Sequence, residues 1–244
     1  MVQIPSFPEC KHDVVEALAH HTDQALLTLF QRQPEAGQYF LAIFCRYSPI
    51  VYTLIQHSAR SPVQANYLFA LTWRHIYHEL RGLDLHEVEG QRGGSGQLSE
   101  WVDGDGPSPA KAATLQNWLI NITAVCINSV QLPPTESIHY ALDKVSPPLW
   151  CYIEQSLSQL SPTQRIVLLL SQTFHWSKVR IAAYLKAEGE VISTEELEGL
   201  LQNSYRLLKE RLPEDIQAIY LPLLETVENE ALGAEAIAPP SPGN

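Results

Sequence analysis

Positive charge is what this chain has least of. Its 244 residues hold 16 Lys and Arg against 27 Asp and Glu, a formal net charge of −11. That balance favours solubility and works against non-specific attraction to nucleic acid or anionic lipid. Any basic contact surface must be local. Cysteine is scarce as well. Cys10, Cys45, Cys126 and Cys151 form no CxxC pair, and no two are closer than the 25 positions from Cys126 to Cys151. A zinc knuckle is thereby excluded. Most of the four lie among apolar residues, so the expectation is buried free thiols in a reducing, cytoplasmic compartment. The beginning, MVQIPSFPECKHD, lacks a basic start followed by an apolar run, and predicts no secretory signal.

Catalytic patterns are equally thin. Residues 90–96, GQRGGSG, have the composition of a phosphate loop but neither its spacing nor a following Lys-Ser/Thr. Asp103 and Asp105 fall in a stretch too rich in glycine to hold a catalytic geometry. His75 and His78 are three apart on one predicted helix, yet no Cys or Glu completes a ligand set beside them. The expectation is therefore no catalysis, no metal and no cofactor. Between Lys111 and Glu136 there is no charge at all, but Gln116, Asn117, Asn121, Asn128 and Gln131 interrupt the run and Pro133-Pro134 ends it. A membrane span would not tolerate so many amides, so this segment reads as a buried helix of a soluble protein.

What the chain does have is helical periodicity. Apolar residues make up 45%, and they recur at three- and four-residue intervals over 13–32, with an alternative start at Thr22 or Asp23. A second helix is predicted from 34 to 57, bent or split at Pro49. A third begins at Ser61-Pro62, a polar cap followed by a first-turn proline. Residues 87–109 are glycine-rich and acidic and read as a flexible loop. The uncharged helix follows to about 130, with Leu115, Trp118, Leu119, Ile122, Val125, Cys126 and Val130 as its core positions. Two Pro-Pro pairs bracket 131–148, the predicted linker. Beyond it come helices at 149–159, from 162, at 178–185 and at 194–212, a shorter one from 213, and a tail at 232–244 predicted to be disordered. The fold class expected is all-α in two helical domains, 1–130 and 149–231, the second with the outline of a helix-turn-helix unit.

Three stretches and their order resemble the sigma factors of bacterial RNA polymerase, of the small two-domain type. Residues 34–55, PEAGQYFLAIFCRYSPIVYTLI, are similar to the opening helix of the promoter-melting domain. Residues 61–76, SPVQANYLFALTWRHI, resemble the polymerase-clamp-binding helix, through Phe69 and the pair Trp73-Arg74. Residues 160–185 resemble the start of the domain that reads the upstream promoter element, through Leu160, Pro162, Arg165, Val167, Leu169, Ser177, Ile181, Ala182 and Leu185. Residues 201–212, LQNSYRLLKERL, look like the end of its recognition helix, and 114–130 look like the helix after the clamp-binding one. The resemblance implies a region 2-like bundle, a region 4-like helix-turn-helix domain, core RNA polymerase as partner and a bipartite contact with promoter DNA. It puts Asn66, Tyr67, Leu71, Trp73 and Arg74 on the polymerase. It puts Trp118, Asn121, Ser177, Lys178, Arg180, Asn203, Arg206 and Lys209 on DNA.

The chain also departs from that pattern. Val63, Asn66 and Tyr67 occupy positions that are acidic in the family, and the helix that should face the melted strand carries no charge. The predicted recognition helix opens on Glu195, Glu196 and Glu198, where base-reading side chains are expected and carboxylates repel phosphate. Two readings follow. In one, the chain is a transcription initiation factor whose DNA contacts rest on aromatic and amide groups. In the other, it is a protein–protein adaptor or regulator on RNA polymerase without autonomous DNA binding, with an anti-sigma-like protein as a further candidate partner.

Overall fold

The computed structural model describes residues 4–85 and 114–222. The glycine-rich loop expected at 87–109 and the tail expected at 232–244 lie outside these residues. A 3₁₀ turn at Pro8–Lys11 leads to the helices α1 (Asp13–Glu16), α2 (Asp23–Arg32), α3 (Gly37–Gln56), α4 (Pro62–Leu80) and α5 (Leu115–Ser129). A second 3₁₀ turn, Thr135–Ser137, precedes α6 (Pro147–Ser158), α7 (Pro162–Gln172), α8 (Lys178–Ala187) and α9 (Thr194–Arg211). A last helical stretch, α10, covers 214–222. The all-α expectation holds: the described residues form a two-lobed bundle of packed helices.

Local chemistry sets the helix starts. Thr22, Ser61, Thr114, Ser161, Ser177 and Ser193 each accept a hydrogen bond from a backbone N–H of the following first turn. Those donors have no partner within the helix, so each cap is worth roughly 0.5–2 kcal/mol. Ser161 with Gln164, and Ser193 with Glu196, form full capping boxes. The region 13–32 is two helices rather than one, with α2 starting behind Thr22. Pro49 neither splits nor ends α3, which runs unbroken for 20 residues.

The large core gathers Phe30, Phe40, Phe44, Phe69, Trp73 and Tyr77 from α2, α3 and α4. Their rings meet edge-on, Phe40 to Tyr77 at 4.8 Å and Phe44 to Trp73 at 4.9 Å between centroids, the geometry that aromatic quadrupoles favour. On α5 the buried residues are Leu115, Leu119, Thr123 and Cys126, one helical stripe. Val125, expected in the core, falls off that stripe and is 59% exposed.

The lobes divide the chain differently from the expected 1–130 and 149–231. Leu149, Cys151 and Tyr152 of α6 belong to the large core, and so do Ile216, Ile219 and Tyr220 of α10. The predicted linker is no free tether either, since Leu142 is buried and Leu132, Tyr140 and Val145 pack against the same core. The smaller core contains only Leu160, Val167, Leu168, Ile181, Leu185, Leu197 and Leu201, from α7, α8, α9 and the turn before them. The small lobe is thus an insertion between two helices of the large one. Gly37 marks the return: a Cβ there would lie 2.3 Å from the buried Ile216 side chain, so α10 can approach α3 only because that position has none.

Two of the four cysteines are not free. Cys10 and Cys45 form a disulfide, with Cα atoms 5.5 Å apart across 35 residues. Sequence spacing gave no hint, because the pairing depends on the 3₁₀ turn lying along α3. Cys126 and Cys151 are buried free thiols, as expected, and burial raises the pKa of each. No described helix is long and apolar enough to cross a membrane.

Candidate functional site

The residues expected to meet a polymerase clamp lie on α4, where α3 and α6 take up most of them. Trp73 is wholly buried, so it is core and not surface; it sits on the α4 stripe shared with Phe69, Ile76 and Leu80, one helical face that an apolar core must bury. Tyr67 stacks on Trp150 of α6 at 6.4 Å. Arg74 bridges Glu154 of α6 at 2.5 Å and lies 6.0 Å from the Trp150 ring centroid. Asn66 accepts a hydrogen bond from the Tyr52 hydroxyl at 3.0 Å, and Leu71 is half-buried. The five residues therefore do not form one open patch.

The expected DNA contacts are divided between the lobes. Trp118 packs against the large core and Asn121 is exposed, both on α5. The others are on the small lobe. Ser177 is spent capping α8. Lys178 pairs with Glu198 of α9 at 2.8 Å. Arg180 lies 3.9 Å over the Trp176 ring. Arg206 holds both Glu210 and Asn203 at 2.7 Å. Lys209 is exposed. Glu195, Glu196 and Glu198 all face outward from the start of α9. Glu196 is held by the capping box with Ser193, and the backbone N–H it accepts lowers its pKa. These exposed pairs each contribute little, roughly 0–1 kcal/mol, but together they tie up much of the positive charge that a phosphate contact would require.

A different site emerges between the lobes. Trp150, Ile153 and Leu157 of α6 form one wall, and Leu168 and Leu169 of α7 with Tyr205 and Leu208 of α9 form the other. The space between them is about 590 Å³. Tyr140 closes one side, its ring 5.1 Å from Trp150 and its hydroxyl donating to the Val145 carbonyl at 2.5 Å. Gln172 and Tyr205 are hydrogen-bonded to each other at the cleft wall. Leu169 and Tyr205 are each 39% exposed although both face this cleft. A neighbouring depression of about 520 Å³ shares His139, Gln172 and Thr173 and adds Phe174 and His175. Phe174 is 61% exposed. His175, in the turn before α8, has a φ of 50°, a left-handed conformation uncommon outside glycine.

One signal for this cleft was present in the sequence. Ile166-Val167-Leu168-Leu169-Leu170 is five apolar residues in succession, and a helix turning 100° per residue cannot bury all five against one neighbour. The structure buries Val167 and Leu168 and leaves Leu169 facing the cleft. The α6 wall had no such signal, because its exposure depends on how far the small lobe stands away from it. Apolar concave surfaces at domain junctions are the usual places for binding. Among the described residues no group of His, Cys, Asp and Glu is arranged to hold a metal. Compared with known proteins, the chain matches no family model, no curated protein and no solved structure.

Proposed function

We propose that this protein is a protein-binding adaptor, which docks a partner in the cleft between its lobes and does not read promoter DNA on its own. The observation that carries this reading is the cleft itself, an apolar concavity bounded by three helices. Apolar surface costs free energy in water, at about 25 cal/mol per Å², and a partner that covers it recovers that cost. The outward carboxylates at the start of α9 and the internally paired Lys178 and Arg206 argue against phosphate contact by the small lobe. Core RNA polymerase is the partner that the sigma-factor resemblance implies.

The initiation-factor reading retains one observation in its favour, the order of capped helices α7, α8 and α9, which has the outline of a helix-turn-helix unit. One experiment separates the two. The purified protein is tested for binding to core RNA polymerase, and the complex is then presented with a promoter library over a salt series. The adaptor reading expects binding to core with no DNA selected. Selected promoters whose retention falls steeply with salt overturn it in favour of an initiation factor. Absence of binding to core removes polymerase as the partner.

A further inference from the structure

The first turn of the chain reaches several distant elements at once. Phe7 is buried, its ring 4.8 Å from Phe44 of α3 and 6.0 Å from Phe69 of α4 between centroids. Two residues on, Glu9 is buried as well and accepts a hydrogen bond from the Tyr220 hydroxyl of α10 at 3.2 Å. That hydroxyl also lies 2.9 Å from Ser146, the residue before α6. Cys10 then joins Cys45 of α3. Phe7 and the 3₁₀ turn Pro8–Lys11 thus form a strap. It touches α3, α4 and the seam of α6 and α10, where the chain leaves the large lobe and returns to it.

The holds on this strap are unequal. Phe7 contributes apolar burial. Glu9 works the other way, because a buried carboxylate loses its hydration and the phenol that meets it carries no charge to offset that loss. Glu9 belongs to none of the four ion pairs formed among the described residues. The disulfide is the one covalent tie on the strap, and it is within reach of solvent. Cys10 and Cys45 are both half-buried, and a depression of about 230 Å³ opens onto them, walled by Val15, Leu18 and Ala42. We infer that Cys10–Cys45 is a thiol–disulfide exchange site, opened by a dithiol reductant entering this depression, and that its reduction releases the strap. A reductant thiolate attacks one cysteine sulfur, and the other leaves as a thiolate that takes up a proton. The reductant's second thiol then attacks the mixed disulfide and frees the first cysteine. Two electrons and two protons pass to the protein, and the reductant is left as a cyclic disulfide. Glu9 regains water as the strap lifts, so its buried charge works for release once the covalent tie is gone. The inference is independent of what the cleft between the lobes receives.

The test keeps the full chain under native conditions, with and without dithiothreitol, and labels it with iodoacetamide before mass spectrometry. The untreated protein is expected to take up no label, because Cys126 and Cys151 are buried and burial raises their pKa. The reduced protein is expected to take up two labels, at Cys10 and Cys45. Release of the strap is read at Lys11, an exposed residue within it. Trypsin cuts an opened segment, so cleavage after Lys11 follows the population of the released strap. The reduced protein should be cut there at least tenfold faster than the oxidised one. Cys10→Ser with Cys45→Ser should be cut at the reduced rate with or without dithiothreitol. Glu9→Gln, which keeps an acceptor and removes the charge, should slow cleavage of the reduced protein at least threefold. Labelling of Cys10 and Cys45 before reduction would overturn the inference, since the sulfurs would then be unpaired. So would a disulfide reduced only in denaturant, which would be a sealed staple. Labelling of Cys126 and Cys151 after native reduction would show the whole core opening instead of the strap, and would overturn it too. Two labels with unchanged cleavage at Lys11 would leave an exchangeable disulfide that releases nothing, and the latch would fall. An unchanged rate in Glu9→Gln would remove the part assigned to the buried charge.

Discussion

Trp73 is completely buried at the centre of the large core, and its indole N–H finds no hydrogen-bond partner there. Two effects therefore oppose each other at this residue. The ring contributes dispersion and buried area, while the unpaired donor carries a desolvation cost of about 1–3 kcal/mol. Replacing Trp73 with Ala forfeits the ring and leaves a cavity, so a loss of about 3–5 kcal/mol in urea unfolding is expected. Trp73→Phe keeps contacts with Phe40, Phe44 and Phe69 and removes the orphan donor, so its cost should be less than half as large. Equal losses for the two variants would show that the N–H is satisfied in solution. Tyr77, beside it, makes a pH prediction. Burial raises its pKa to about 12, although the Arg81 guanidinium beside it pulls the other way. The unfolded chain releases that proton near pH 10, so between pH 10 and about 12 the folded state holds more protons than the unfolded one. Stability is then full below pH 10 and falls as pH rises through this window. Alkaline unfolding followed by tyrosinate absorbance should show that fall, and Tyr77→Phe should make it shallower.

Helices obey local rules in most of this chain, and α3 shows where those rules stop. Its N-cap position, Ala36, offers no side-chain acceptor. The missing cap comes from α10, where Asp215 accepts from the Gln38 backbone N–H at 2.8 Å, placing a carboxylate at the positive end of the helix. Asp215→Ala should cost roughly 0.5–2 kcal/mol in denaturant unfolding, and Asp215→Asn, which keeps an acceptor, should cost less. Loss of the same amount in both would point to charge rather than to the hydrogen bond. The Cys10–Cys45 disulfide is a second link of this non-local kind. It closes a loop spanning 35 residues, and removing it should cost up to about 4 kcal/mol on chain-entropy grounds. A thermal scan with and without a dithiol reductant checks this, and Cys10→Ser with Cys45→Ser should lose any response to the reductant. Helix positions were legible in the sequence because Ser-Pro and Thr starts and 3.6-residue periodicity are local signals. The helix starts at Ser61 and Ser161 follow from those signals directly. The borrowed cap and the disulfide were not legible, because each joins residues whose proximity is created only by packing.

At the scale of the whole molecule, the chain leaves the large core after α6, builds the small lobe, and returns through α10. Sequence reading placed two lobes in the right order but put the boundary at the proline-rich segment, since Pro-Pro usually marks a linker. Here Pro147 and Pro148 instead open α6 and are buried with it. The surface position expected for Trp73 came instead from the sigma-factor resemblance, and Phe40 and Phe44 of α3 with Phe69 of α4 enclose it. The lobes should differ in local stability. The large core buries eight aromatic residues from α2 to α4, whereas the small one buries seven aliphatic residues and no aromatic. Opening free energy scales with the apolar contact a unit must break. Native-state hydrogen exchange should therefore find α7, α8 and α9 opening at lower free energy than α3 and α4, with α6 and α10 protected along with the large lobe. Uniform protection across both lobes would mean that they unfold as one unit. A ligand seated in the cleft touches α6 on one side and α7 and α9 on the other, so it must be released before the small lobe can open. Its binding should raise protection in the small lobe by RT ln(1 + [L]/Kd), up to the protection of the large one. A ligand that bound only one wall would leave this difference between the lobes unchanged.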